Sequence, residues 1–160
     1  METVLKQFVI VLKRAPNFLA LREDKSLIID HIGLVVSNYE RSKEFYLEAL
    51  APLGITLMME VEGWAGYSRG SEPEFCFKQG ITPQHPMHIA FAAQSREQVR
   101  AFYDAALAAG GKGNGRPGIR EIYHPNYYAA FVIDPDGHNI EAVCHKAGGL
   151  TNYCNETASP

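Results

Sequence analysis

Cysteine is scarce in this chain. Cys76, Cys144 and Cys154 are the only thiols among 160 residues, and no two of them stand in a CxxC spacing. Three thiols cannot all pair internally, which argues against a disulfide framework and for a reducing compartment, here the cytoplasm. Long hydrophobic runs are missing too. Near the N-terminus the longest is "FVIVL", residues 8–12, followed at once by Lys13, Arg14 and the Ala15-Pro16 step. It is too short for a signal-peptide core or a membrane span, and an accessory strand or helix ahead of the domain is expected instead. An excess of basic charge is also absent: 15 Lys and Arg face 18 Asp and Glu, for a net charge of −3. Such a balance offers no general attraction to nucleic acid or to an anionic membrane. Small neutral or anionic molecules are left as ligands.

What the chain does have is a core and a repeat. With 46% hydrophobic residues it can form one domain, or two small modules sharing one core. The segments "DHIGLVVSNYERSKEFYLEALAPLG" and "MHIAFAAQSREQVRAFYDAALAAGG" superpose at a constant shift of 57 residues. His31 then falls on His88, the Phe45-Tyr46 pair on Phe102-Tyr103, and Ala49-Leu50 on Ala106-Leu107. An ungapped register of this kind marks two copies of one unit. Each copy opens with a short apolar strand and enters a helix from a polar start: Ser37-Asn38 in one, Ser95 with Gln98 in the other. Gly54 is placed to end the first helix. Three strands are expected to follow in each copy: "ITLMMEV", "WAGYSR" and "PEFCFK" in the first, "IREIYH", "YYAAFVID" and "HNIEAVCH" in the second. The fold class is therefore α+β, with two βαβββ modules in tandem. Module one covers about residues 28–80 and module two about 86–146, joined by "KQGITPQHP", with residues 1–27 as an extension and 147–160 as a loose tail. The glycine-rich "GGKGNGRPG" follows a helix rather than opening one, so it reads as a flexible turn, not a phosphate loop. Lys112 or Arg116 within it could touch an anionic substrate.

Strand alternation sorts the side chains by face. Ile32, Leu34 and Val36 would pack on a helix, leaving His31, Gly33 and Val35 on the other face. In the second copy Ile89 and Phe91 face the helix, while His88, Ala90 and Ala92 face away. In the last strand of module two Ile140 and Ala142 pack inward, so Asn139, Glu141 and Val143 point opposite. Phe75 and Phe77 pair off in module one, leaving Glu74, Cys76 and Lys78. Both histidines, Glu141 and one of Glu74 or Cys76 thus occupy equivalent faces, beside the small residues Gly33, Ala90 and Ala92. A buried carboxylate is costly unless it is paired or bound to a cation. Two imidazoles and a carboxylate suit one divalent ion such as Zn, Fe, Ni, Co or Mn. A Glu141–histidine hydrogen bond without metal is the alternative.

The strand starts "DHIGLVV" and "HIAFAA", the "FY…AL" helices and "DPDGHNIE" together resemble the vicinal oxygen chelate superfamily, which groups glyoxalase, bleomycin resistance protein and extradiol dioxygenase. The likeness covers about residues 28–146 and implies curved mixed sheets around a metal cavity. It implies metal ligands at His31, His88 and Glu141, with a fourth position near Cys76. Glyoxalase I usually carries a glutamate there, and methylmalonyl-CoA epimerase a glutamine; this chain offers Cys76, or Glu74 on the same face. The implied activity is that of a metal-dependent lyase or isomerase acting on a small oxygenated substrate through a metal-stabilised enediolate. Glu141 or Glu74 would be the base, and Trp64, Tyr127 and Phe131 would line the pocket. Two alternatives follow from the same likeness: an extradiol-type dioxygenase using iron, and a metal-free ligand-binding or drug-sequestering protein. Fosfomycin-modifying relatives place a tyrosine where Phe131 stands and use basic residues for the phosphonate, whereas no arginine follows Glu141 here, which argues against that activity. A homodimer is the implied assembly, and family members build the cavity either within one chain or across two.

Overall fold

A computed structural model describes residues 29–81 and 85–147. The extension expected at 1–27, nearly all of the tail expected at 147–160, Cys154, and residues 82–84 of the linker lie outside the described residues.

Each half of the chain builds one four-stranded mixed sheet with one helix. The first comprises β1 (Ile32–Val36), α1 (Tyr39–Leu50), β2 (Thr56–Val61), β3 (Trp64–Ser68) and β4 (Phe75–Gln79). The second comprises β5 (His88–Ala92), α2 (Arg96–Ala108), β6 (Lys112–Ile119), β7 (Tyr128–Ile133) and β8 (Asn139–Cys144). Strand orders are β1-β4-β3-β2 and β5-β8-β7-β6, so each opening strand pairs in parallel with the last strand of its own module. The tandem βαβββ reading is thus the observed architecture, and the sheets remain open rather than closing into a barrel. No described helix is long and apolar enough to cross a membrane.

Local chemistry explains the helix limits. Asn38 caps α1 by accepting from the Arg41 N–H at 3.0 Å, and Ser95 caps α2 by accepting from Gln98 N–H at 3.3 Å. After Leu50 the chain tightens into a 3₁₀ turn, and Gly54 closes it at φ 73°, a conformation that glycine adopts without a Cβ penalty.

The two helices pack against one another, and the helix-facing sides of both sheets meet there in one core. Phe45, Tyr46, Leu50 and Phe77 from module one and Val99, Phe102, Val132 and Ile140 from module two are fully buried in it. Polar contacts fix the modules to each other. Tyr46 Oη donates to Asp134 Oδ2 at 2.6 Å, while Asp134 Oδ1 accepts from the Asp136 and His138 amides. Asp136 in turn accepts from the Ser37 amide and the Ser42 hydroxyl at the start of α1. The Asp-Pro-Asp-Gly turn of module two is therefore a plug in the N-terminal end of module one's helix.

One expectation fails. Of the glycine-rich segment only Gly110, at φ 91°, lies in a turn; residues 112–118 are most of β6, and "IREIYH" contributes only Ile119 to a strand before residues 120–127 turn back. Three of the later glycines are demanded by packing. A Cβ on Gly111 would stand 2.5 Å from Val132 Cγ1 and 2.8 Å from Phe45 Cε2, one on Gly113 2.5 Å from Tyr103 Oη, and one on Gly115 2.7 Å from Phe131 Cδ2. The strand lies so close to its neighbours that side chains would not fit.

Candidate functional site

The helix-free face of the second sheet carries the candidate site. On β5, alternation gives this face His88, Ala90 and Ala92; on β8, Asn139, Glu141 and Val143. Phe131 of β7 lies opposite Glu141, and Gly115 of β6 lies opposite Phe131. Small residues thus form a floor, and the functional groups rise from its centre.

Glu141 is almost fully buried, at 2% exposure. Each of its oxygens has a partner: Oε2 lies 2.8 Å from His88 Nε2, and Oε1 accepts from Tyr127 Oη at 2.7 Å. The His88 side chain remains 54% exposed, so the pair opens to solvent on the imidazole side. The Phe131 ring meets His88 edge-on with centroids 6.2 Å apart. Burial, reinforced by the bond to Glu141, pushes the Tyr127 phenol up to about 12, so it stays a donor at neutral pH. Tyr123 and His145 flank the Tyr127 ring, each with centroids at 5.0 Å.

Module one presents a related but weaker face. Gly33 pairs with Cys76 as Ala90 pairs with Glu141, so Cys76, not Glu74, holds the register of the module-two carboxylate. Cys76 is a free thiol, 1% exposed, and burial pushes it up to about 11. Glu74 stands one pleat earlier, where its carboxylate accepts from Ser68 Oγ at 3.0 Å. His31 lies just ahead of β1, its Nδ1 2.8 Å from Asp30 Oδ1. Trp64 lies opposite Lys78, whose Nζ sits 5.1 Å from the indole centroid.

His88, Glu141, Tyr127 and Phe131 are therefore brought together, whereas His31, Cys76, Glu74 and Trp64 belong to the other sheet. Among the described residues no three His, Cys, Asp or Glu side chains gather closely enough to hold a metal ion. The cause is architectural: the helix faces share a core, so each sheet turns its other face away from it. His88 and Glu141 supply two adjacent donors, imidazole nitrogen and carboxylate oxygen, of the type a divalent ion of borderline softness takes. They fit as half of a metal centre.

Arg120 was not anticipated. It lies in the β6–β7 loop, in a segment whose sequence reads as strand, and its guanidinium stacks on Phe131 with Cζ 5.4 Å from the ring centroid. Only the cramped glycines beside it hint at its place.

A family model for the Glyoxalase/Bleomycin resistance protein/Dioxygenase superfamily matches residues 28–142. The chain belongs to that superfamily. A glyoxalase/bleomycin resistance protein from Albidiferax ferrireducens T118 is 32% identical, with a TM-score of 0.64 over 74% of this chain and 99% of that one. A glyoxalase-related enzyme from Fulvimarina pelagi, at 20% identity and TM-score 0.56, covers 72% and 86% of the two chains and shares the fold. A glyoxalase I mutant from Zea mays, at 23% identity and TM-score 0.55, covers 72% of this chain and 46% of that one. No curated protein matches. For this superfamily member the fold and the kinship are settled together.

Proposed function

We propose that this superfamily member is a glyoxalase-type, metal-dependent lyase or isomerase acting on a small oxygenated substrate, and that a homodimer in the cytoplasm is its working form. The observation that carries the reading is Glu141: a carboxylate buried on an open sheet face, held at both oxygens, with its imidazole partner turned to solvent. Burying that charge is tolerable only against strong donors or a cation. His88 and Glu141 would hold the metal from one copy and His31 from a second. Among the described residues β1 and β5 are both edge strands, and an edge offers a row of backbone groups that another strand can pair. Pairing β1 of one copy with β5 of the other would bring the two histidines to one seam.

The metal, when bound, supplies a Lewis acid that stabilises charge developing on two neighbouring substrate oxygens. The protein's own groups do the rest. Tyr127 holds Glu141 in place, and Glu141 is positioned to take a proton from a carbon beside a carbonyl. Glu74 of the second copy is the alternative base. Phe131, Tyr127 and Trp64 exclude water from the pocket. Cys76, kept neutral by burial, would serve as fourth ligand only by losing its proton to solvent as its thiolate bound the metal.

That neutrality favours one second reading. A site of His31, His88 and Glu141 with no fourth charge is a two-histidine, one-carboxylate set, the arrangement of iron dioxygenases.

Elemental analysis of purified protein tests the proposal. One divalent ion per chain is expected in the wild type and none in His88→Ala or Glu141→Gln. A wild type that neither retains nor binds a divalent ion would refute both metal readings and leave a binding protein. Oxygen uptake with catechol and iron would select the dioxygenase over the isomerase.

A further inference from the structure

Arg120 is a cation in search of an anion. Its backbone N–H closes the β6–β7 loop onto Tyr127 O at 2.7 Å, and its Nη2 donates to Arg116 O at 2.7 Å. The guanidinium rests on the Phe131 ring, in space that exists because the neighbours are glycines. A Cβ on Gly118 would stand 3.0 Å from Nη1, and one on Gly115 3.4 Å from Nη2. Among the described residues no carboxylate pairs with it. Its acceptors are backbone carbonyls, which leave donors of the planar fork unused.

Placement gives this consequence. Phe131 carries Arg120 on its face and meets His88 at its edge, so one aromatic ring separates a fixed guanidinium from the imidazole beside Glu141. The cations Arg96 and Arg100 stack instead on Tyr128, the next residue along β7 from Tyr127 and so on the opposite side of the sheet. Lys112 and Arg116, the basic residues first suspected from sequence, are exposed along β6.

We propose that Arg120 binds the carboxylate of the substrate, so that this enzyme acts on a small carboxylic acid whose next two carbons both carry oxygen, such as a 2-oxo-3-hydroxy acid. The proposal rests on the reading of His88 and Glu141 as the reacting end, and adds the substrate class. Planar two-pronged donation suits a carboxylate, and the rigid fork loses little entropy when it binds one. Arg120 supplies one positive charge, which a carboxylate monoanion neutralises and a phosphate dianion exceeds. The oxygen-bearing carbon next to the carboxylate would then lie toward His88 and Glu141.

Lactate and its neutral isostere lactamide test this by NMR titration of the ¹⁵N-labelled protein. Lactate is expected to shift the Arg120 Nε–H resonance and to bind about tenfold or more tightly than lactamide, in line with one charge-assisted pair. Arg120→Gln should bring lactate down to the lactamide level. The same preference should persist in His88→Ala, whose metal content is measured separately. Loss of the preference there would place the carboxylate on the metal and overturn the role of Arg120, whereas a metal-free wild type that still prefers lactate through Arg120 would fault only the metal reading. Equal binding of lactate and lactamide by the wild type, a comparison that needs no variant, would overturn the proposal. So would inorganic phosphate binding more tightly than lactate.

Discussion

Glu141 and Cys76 occupy the same register in two copies of one module, and they behave oppositely. Glu141 is a buried charge satisfied by two donors; Cys76 is a buried thiol made harder to ionise. Removing the Tyr127 hydroxyl by Tyr127→Phe leaves Glu141 Oε1 without its donor. Urea melts should show a loss of about 1–3 kcal/mol, the cost of one unsatisfied buried acceptor. For Cys76 the folded value of about 11 lies above the ordinary thiol value of 9.0. The thiol's contribution to stability is thus complete below pH 9 and is lost as pH rises through 11. At pH 8 only about one thiol in a thousand is ionised in the fold, so alkylation should run about a hundredfold slower than in the urea-unfolded chain. Wild-type rates equal to the unfolded ones would contradict its burial. The faces of His88 and Glu141 were legible from alternation alone. The bond from Tyr127 was not, because it reaches across from the residue that precedes a different strand, and sequence spacing does not encode which way a phenol leans.

At the scale of elements, β6 shows where sequence reasoning fails and why. Glycine signals a turn when it supplies a backbone conformation, and it signals a close approach when it merely lacks a side chain; the two look alike in sequence. Here the second case holds, since Gly111, Gly113 and Gly115 sit where a Cβ would strike Val132, Tyr103 and Phe131. Gly111→Ala should cost about 1–3 kcal/mol through overpacking. Its melting temperature should fall by about 2–4 °C for each of those kcal/mol. Gly33→Ala is the contrast: nothing lies within 4 Å of the added methyl. It should leave stability within about 0.5 kcal/mol of wild type. A comparable melting loss from both variants would contradict the packing account of β6. The β1, α1, β5 and α2 elements, by comparison, were readable because cap residues and apolar periodicity agreed with the repeat.

Across the whole molecule, the back-to-back arrangement decides what one chain can do. The Tyr46–Asp134 bond, the Asp136 plug and the shared apolar core lock module two's turn to module one's helix. Tyr46→Phe should destabilise by about 1–3 kcal/mol, because Asp134 Oδ2 loses the phenol that donates to it in a buried setting. Burial first, and then Asp134, hold the Tyr46 hydroxyl well above its ordinary value. That stabilisation is complete below pH 10 and is lost as pH rises beyond it, so wild-type stability should fall in alkali more than that of Tyr46→Phe. The repeat announced two modules; whether they face each other or share their backs depends on packing between distant residues, which no local pattern in the sequence records. The central claim is that His31 of one copy completes the site of His88 and Glu141 in another. Mixing His31→Ala with His88→Ala, unfolding and refolding them together, tests it most directly. Each variant alone should bind no metal, and the mixed dimer should bind one ion per two chains, since one of its two sites is then intact. A mixed dimer as empty as its parents would contradict the account.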